Sequence, residues 1–543
     1  MTRPVHRLQQ GSGADYPTFI AESRSPLWTS ESSVEQSLQF GKVQNLRKGC
    51  ERLHMIEVPD SEVFSFWKHI GRAKKRSGYA VGRELRQGCL IPTVGGGLCQ
   101  LSNALYELAL KCGCEIIERH AHTAVVPGSA AERGHDATVF WNYVDLRFRP
   151  KQDILIRAVL SKDELIMSFW GKQKLVPIVE IKAQSRERAV VNTCTDCGVA
   201  ECFRHVDIGH SRQSGRVAFL IEECWPEFEG FAREEKFQES ELFLPFHSRA
   251  ALVGRYAWDT DGYARVVSAN FRTALSSIQA RFGRGSTPAI ALQLRRSATL
   301  ASYYGERISI DISHVYVTQT LLPFLWRKGD LGGRSFSVFM TRWPLQFLHR
   351  TLNDLASKFP ERRTFQEFRA PAWMVEAETE ALERADRIVT PHRFLAGLFP
   401  SKTKLLDWKL PPTKLRKRGH SIAFPGPSVA RKGAFELRDS LRTLDYPLMV
   451  LNRHAVEPEL WDGVRLEPVN GDWLDQAAVV VQPAFLENNP RTLLRALAAG
   501  IPVIATQECG IGTHPLLALV PAGDTAALTH ALRKTMSELA ILA

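Results

Sequence analysis

The sequence predicts an α/β molecule, a small α+β domain followed by two Rossmann-like, doubly wound domains, and three observations carry that reading. At 543 residues the chain exceeds what one hydrophobic core can serve, and at about 100–200 residues per domain it holds roughly three or four. Beyond Gly215 short apolar runs of strand character alternate with helical stretches, the pattern of a parallel sheet covered on both faces. Before that point helical and strand patterns mix, and they close on a strand-rich stretch over 153–160.

Taken in order, residues 1–50 carry few periodic apolar patterns and read as a leader or extension, and 51–185 as the α+β domain. A cysteine-rich junction follows at 190–210, then the two doubly wound domains over 215–412 and 413–543. In the first of these, 216–221, 288–292 and 387–390 read as buried strands, and 372–385, rich in Ala and Glu, as a helix. In the second, strands are expected over 421–424, 448–451, 478–481 and 502–506, with helices near 431–443, 490–499 and 524–535. No internal repeat or low-complexity tract occurs, which excludes a solenoid. Ligands of such paired sheets sit at the carboxyl ends of the strands.

With 44% hydrophobic and 24% charged residues the composition is that of an ordinary globular protein, not a disordered or fibrous one. Lys and Arg exceed Asp and Glu by 70 to 58, a net charge of +12, but the basic residues are spread along the chain. A solvated face, anionic substrates, or peripheral association with anionic lipid headgroups fit that spread, while no motif supports nucleic acid. The start of the chain lacks the apolar core of a secretory signal, and nothing approaches the ~18–20 apolar residues of a spanning helix. The expectation is a cytoplasmic protein whose ten cysteines are thiols, metal ligands or nucleophiles before they are disulfides.

The densest chemistry lies at Gly95-Gly96-Gly97-Leu98-Cys99-Gln100-Leu101-Ser102-Asn103. Three glycines permit a tight turn, and Leu101, Leu105, Leu108 and Ala109 then share one face of a helix that would begin near Cys99. Unpaired amides and the dipole at a helix start favour a thiolate. A base is available in Glu118-Arg119-His120-Ala121-His122, where a strand would put His120 and His122 on one face, and Asp136 or Asp145 could orient an imidazole. The alternatives are a buried, inert Cys99 beside glycines that pack a helix on a sheet, and a metal held by Cys99, His120 and His122.

These segments, with Asp136-Ala137-Thr138-Val139 and Asp145-Leu146-Arg147-Phe148, resemble the VanW family over roughly 50–180. The resemblance implies Cys99 as a nucleophile, with His120 or His122 as its base, in cysteine-dependent acyl transfer of the kind that cross-links peptidoglycan.

The junction carries Cys194, Cys197, Cys202 and His205 in a C-x2-C-x4-C-x2-H pattern, with Gly198 allowing the backbone to turn. Four soft or borderline ligands suit a closed, tetrahedral structural zinc site; a metal-free cysteine-rich linker and an iron–sulfur cluster are the alternatives.

In the last domain Phe485-Leu486-Glu487-Asn488-Asn489-Pro490 is a loop that follows a strand and opens a helix, so Glu487, Asn488 and the first helical amides lie where a doubly wound sheet presents a ligand. Arg431 and Lys432, after the first strand, place cations where a diphosphate leaving group would need them. The bland reading is an ordinary turn in which Glu487 caps its own loop. These segments and Gly500–Thr506 resemble retaining GT-B glycosyltransferases with a paired-glutamate motif. The resemblance implies Glu487 as the first glutamate and Lys432 as the phosphate-binding lysine, with a nucleotide-sugar donor as co-substrate. Arg495 stands in place of the second glutamate and Pro427 in place of a diphosphate-binding arginine. His314 is the candidate for the family's histidine in the first half.

The sequence therefore leads to a glycosyltransferase acting on a cell-envelope or other glycan acceptor, with Cys99-dependent acyl transfer and non-catalytic binding of envelope precursors as alternatives.

Overall fold

The computed structural model describes residues 5–28, 33–86, 89–122, 124–125, 132–173, 189–190, 216–235, 239–247, 258–270, 289–367, 369–414, 419–455 and 459–541. They fall into two compact units, residues 1–218 with 302–315 and 325–335, and residues 219–301 with 316–324 and 336–543. Among the described residues no helix is long and apolar enough to cross a membrane.

The first unit opens with β1 (Thr18–Pro26), α1 (Ser33–Leu53), β2 (Ile56–Val58), β3 (Phe64–Ser65) and α2 (Phe66–Ile70). The hairpin β4 (Val81–Arg86) and β5 (Cys89–Val94), α3 (Cys99–Lys111), β6 (Glu115–Glu118), β7 (Ala124–Val125) and β8 (Arg147–Arg149) come next. The series closes on β9 (Ile154–Leu160), β10 (Glu164–Gly171) and β11 (Ala189–Val190).

Four strands form an antiparallel sheet in the order β1-β10-β9-β2, and β3-β8-β6 form a second, smaller one. Helix α1 buries Val43, Leu46, Cys50 and Leu53, a three-and-four spacing that lays one apolar stripe on β4 and β9. Helix α3 packs on β1 and β10. Phe64, Phe66, Phe148 and Phe169 are fully buried between these layers, each contributing about 1.5–3 kcal/mol of burial. Strand β1 and helix α1, which fall within the expected extension over 1–50, are thus part of the domain: β1 pairs with β10 from Thr18 opposite Gly171 to Pro26 opposite Glu164, with a bulge between Phe19 and Ala21. Its alternation is diluted by Glu22, Ser23, Arg24 and Ser25, so the strand carries no apolar periodicity in the sequence.

The chain continues through β12 (Arg216–Leu220), α4 (Pro226–Glu235), β13 (Glu241–Leu244), β14 (Arg265–Ser268), α5 (Ala289–Gly305), β15 (Ile312–Thr318) and α6 (Leu322–Lys328). Then come β16 (Ser335–Phe339), α7 (Leu345–Lys358), α8 (Ala372–Arg384), β17 (Arg387–Thr390), α9 (Arg393–Leu398) and β18 (Thr403–Leu405). These strands form a seven-stranded sheet in the order β14-β13-β12-β15-β16-β17-β18.

A five-stranded parallel sheet, β20-β19-β21-β22-β23, follows. It is built from β19 (Ser421–Ser428), α10 (Ala434–Leu444), β20 (Leu448–Ala455), β21 (Ala477–Gln482), α11 (Arg491–Ala498), β22 (Val503–Ala505), β23 (Leu517–Leu519) and α12 (Thr525–Ile541). Strand β21 is buried along its whole length, as a central parallel strand covered on both faces must be. The fold is therefore the expected one, an α+β domain and two Rossmann-like domains. One element differs: within 288–292, read as a strand, residues 289–292 open helix α5, whose buried Ser297, Leu300, Ala301 and Tyr304 have helical spacing. A short apolar run does not by itself tell a strand from a helix start.

Candidate functional site

In the first unit Cys99 is the first residue of α3, half-buried, at the end of the glycine turn. Gly97 adopts φ +98°, a conformation that disfavours side chains. The helix then anchors the chain that supplies the acid–base partners. Asn103 Oδ1 accepts from Ala137 N at 2.8 Å, and Ser102 Oγ donates to Ala137 O at 2.6 Å, which fixes Asp136 beside the helix start.

Asp136 is fully buried and grips His122 twice, accepting from its main-chain N–H at 2.6 Å and facing its ring Nδ1 at 2.9 Å. Its other oxygen takes Arg119 Nη2 at 3.0 Å, while Arg119 Nε holds the Asp136 carbonyl at 2.8 Å. The Cys99 thiol lies close enough to the His122 ring to act on its charge, and its Sγ donates to Val139 O at 3.9 Å. Burial works against the charged imidazole, but the bonds and charges of Asp136 and Cys99 prevail and push His122 up to about 9. Thiol, imidazole and carboxylate are thus strung together, the arrangement that activates a nucleophile. Burial pushes the Cys112 thiol up to about 11 and those of Cys114, Cys224 and Cys509 up to about 12.

The two histidines do not share a face. Strand β6 ends at Glu118; His120 makes an isolated bridge to Thr138, and its side chain, 53% exposed, lies 3.7 Å from Glu118. Asp145 is also not an imidazole partner: its carboxylate binds Ser65 Oγ and the amides of Trp67 and Leu146, a structural knot. Among the described residues no three His, Cys, Asp or Glu side chains gather as a metal site, so Cys99, His120 and His122 are not a ligand set. The knuckle residues Cys194, Cys197, Cys202 and His205 lie outside the described residues.

In the second unit the loop after β21 meets the turn after β19. Gly433, at φ +77°, ends the turn of Ala430–Lys432; a Cβ there would lie 2.0 Å from Pro483 O, so only glycine admits the loop this close. Arg431 O accepts the amides of Phe485 at 3.0 Å and Leu486 at 3.3 Å. So stapled, Lys432 Nζ reaches Leu486 O at 3.0 Å and Glu487 Oε2 at 2.9 Å. Gln482 Nε2 donates to the same carboxylate oxygen, and the amides of Asn488 and Asn489 donate to Oε1, each at 2.9 Å.

Glu487 is therefore saturated. The capping role of the bland reading and the lysine contact of the functional one both occur in a single carboxylate. Asn488 is exposed and its Oδ1 accepts from Trp343 N at 3.1 Å; Arg431 pairs with Glu367 at 3.4 Å.

His314 lies inside β15, in its first half, and bonds Ser335 Oγ at 2.7 Å, away from the strand's carboxyl end. The histidine that does meet the loop is His392, just after β17. Its Nε2 lies 3.0 Å from Glu487 O, and its Nδ1 accepts from Leu395 N at 3.3 Å. Burial keeps this imidazole neutral, pushed down to about 4. Arg491, at the start of α11, forms a two-pronged bridge to the buried Glu227 at 2.8 and 2.5 Å and lies over Trp225 and Trp408. Arg495, at the position of the second glutamate, is half exposed and pairs only loosely with Asp472, at 3.5 Å. Gln482, His392 and Arg491 were missed from sequence; a histidine two residues past a strand end was the available signal for His392.

Comparison with known proteins gives the two regions different relatives. Residues 41–170 match the family model for VanW like protein, and residues 459–538 that for glycosyl transferases group 1. The chain is 29% identical over 151 residues to the vancomycin B-type resistance protein VanW of Enterococcus faecalis, 27% of this chain and 55% of that protein. To the uncharacterized protein YoaR of Bacillus subtilis it is 36% identical over 129 residues, 23% of this chain and 42% of that protein. It thus spans about half the length of the curated relatives it matches.

Similar solved structures include sucrose-phosphate synthase of Thermosynechococcus elongatus, at 14% identity and TM-score 0.37 over 60% of this chain and 90% of that one. Another is an Anabaena protein, HepE, in complex with UDP-glucose, at 10% identity and TM-score 0.35 over the same shares.

Proposed function

We propose that the chain is a glycosyltransferase that takes a nucleotide-activated sugar in its C-terminal domain and transfers it, with retention, to a cell-envelope or other glycan. The observation that carries this reading is the direct meeting of Lys432 and Glu487 at the carboxyl ends of β19 and β21, beside the start of α11. There an ammonium and helix amides can neutralise a departing diphosphate, the main electrostatic task of such a transfer. The match of residues 459–538 to a glycosyltransferase model supports it. A nucleotide-sugar donor would put the reaction in the cytoplasm.

The test is a panel of UDP-, GDP- and ADP-sugars read by thermal shift and by turnover. One donor should raise the melting temperature, since a ligand stabilises only a protein that has a site for it, and Lys432→Ala should abolish both the shift and turnover. No shift and no turnover with any donor sinks the proposal.

A second reading stands on its own observation, the chain of Cys99, His122 and Asp136. In it the Cys99 thiolate attacks an amide carbonyl and the C–N bond breaks. The amine leaves with a proton from the His122 imidazolium, and a thioester remains. An acceptor amine then attacks the thioester, passes its proton to His122 and releases Cys99. Asp136 holds the ring and stabilises its charge throughout.

A further inference from the structure

The acyl-transfer reading leaves one neighbouring group without a task. Lys42, in the middle of α1, is 5% exposed and lies along the glycine turn: a Cβ on Gly97 would fall 2.3 Å from Lys42 Cγ and 3.2 Å from its Cδ. Glycine at that position is what lets the lysine stem pass. Among the described residues the ammonium takes no hydrogen bond and no ion pair, and the charged group that acts on it is Arg83 of β4, a second cation. Its helical neighbour Asn45 is fully employed, donating to Gly96 O at 2.9 Å and Ala80 O at 3.1 Å and accepting from Ala80 N at 2.8 Å.

An ammonium taken from water without an anion is costly, and its pKa falls in response. Burial first and Arg83 second bring Lys42 down to about 7. The turn it lies on also holds unused donors. The amides of Gly95, Gly96, Leu98 and Gln100 bind Ala80, Thr93, Gly95 and Gly97 carbonyls, whereas those of Gly97 and Cys99 have no acceptor among the described residues. A lysine whose stem is buried along the turn, two open amides and the positive end of α3 together offer positive charge and free donors with no negative group among them.

We propose that Lys42 and the open amides of the Gly97–Cys99 turn form a subsite for one carboxylate of the acyl substrate, which makes that substrate a carboxylate-bearing peptide or amino acid. The proposal rests on the reading of Cys99 as the nucleophile and names its substrate class.

The experiment compares alkylation of Cys99 in the full chain by iodoacetate and by iodoacetamide, followed by mass spectrometry of the Cys99 peptide. The ratio of the two rates cancels the reactivity of the thiol and reports the pull on a carboxylate. At pH 6 the ratio should exceed that of Cys224 by about tenfold, the size of one charge-assisted contact. It should fall to the Cys224 value in Lys42→Met, while the iodoacetamide rate at Cys99 changes by less than about twofold.

In the wild-type chain the ratio should also drop as pH rises through about 7, where Lys42 loses its proton; His122, charged up to about 9, keeps its own pull across that range. This arm needs no variant. Lys42→Met removes a buried charge and keeps the stem, so it should fold. A ratio indifferent both to Lys42→Met and to pH overturns the subsite. An iodoacetamide rate at Cys99 no faster than at Cys224 instead overturns the nucleophile, and the two failures are read separately.

Discussion

The surroundings of Cys99 and of Glu487 use the same parts to opposite ends. Each has a buried carboxylate, a histidine and the start of a helix. Around Cys99 the carboxylate of Asp136 is spent on His122 and Arg119, and the imidazole it charges lies beside a half-buried thiol. Around Glu487 the carboxylate is closed by Lys432, Gln482 and two amides, and His392 is kept neutral against a carbonyl. On the acyl-transfer proposal the first arrangement makes a reactive group out of the protein. On the glycosyltransferase proposal the second is a hydrogen-bonded cradle that leaves the reactive bond to an activated ligand. On the two proposals together, one chain would carry a covalent chemistry and a group-transfer chemistry without sharing a catalytic part.

The largest effect that would break the comparison is expected at the cradle. Glu487→Ala strands the Lys432 ammonium, 14% exposed, and leaves Gln482 and two amides without their acceptor. Removing one partner of a buried pair costs about 3–5 kcal/mol, so chemical denaturation should show a loss of that size. Cys99→Ala, which removes only a half-buried thiol, should cost less than about 1 kcal/mol. Equal losses would mean that Glu487 is no hub.

A smaller effect sharpens the other side. Asp136→Asn keeps the shape of the carboxylate but not its charge, so His122 loses its main support and Cys99 should alkylate about 10–100 times more slowly at neutral pH. The same variant has a signature in stability. His122 is raised in the folded chain from the ordinary 6.5 to about 9, so its contribution is fully present below 6.5 and lost as pH rises through about 9. At most about 3 kcal/mol is involved. Urea midpoints of the wild type should fall across that window, and those of Asp136→Asn should stay nearly flat; parallel curves refute the assignment.

Much of this was legible in the sequence. The glycines followed by helical spacing put Cys99 at a helix start, and the buried run at 477–482 with the Gly500 turn placed Glu487 at the end of a sheet. Pairings across long separations were not legible. His392 and Glu487 lie 95 residues apart, and nothing local says that the loop after β17 meets the loop after β21. Lys42 looks like any helical lysine until Gly97 is seen to pack on it. The α5 helix was misread because its first residues show a strand's composition and only its later ones reveal the period.

The smallest expected effect settles which histidine serves Cys99. Sequence spacing made His120 and His122 equivalent, since a strand would have turned both the same way. The chain leaves strand geometry after Glu118, and Asp136 catches both the amide and the ring of His122. His120 is left exposed, with Glu118 at 3.7 Å as its ion-pair neighbour, a contact too long and too wet to contribute more than a few tenths of a kcal/mol. His120→Ala should therefore leave the alkylation rate of Cys99 within about twofold and stability within about 0.5 kcal/mol. Its pH profile should also be unmoved, while His122→Ala loses the fast alkylation altogether. If His120→Ala slows alkylation as much as His122→Ala, the imidazole at work is the exposed one, and the relay through Asp136 only holds the chain in place.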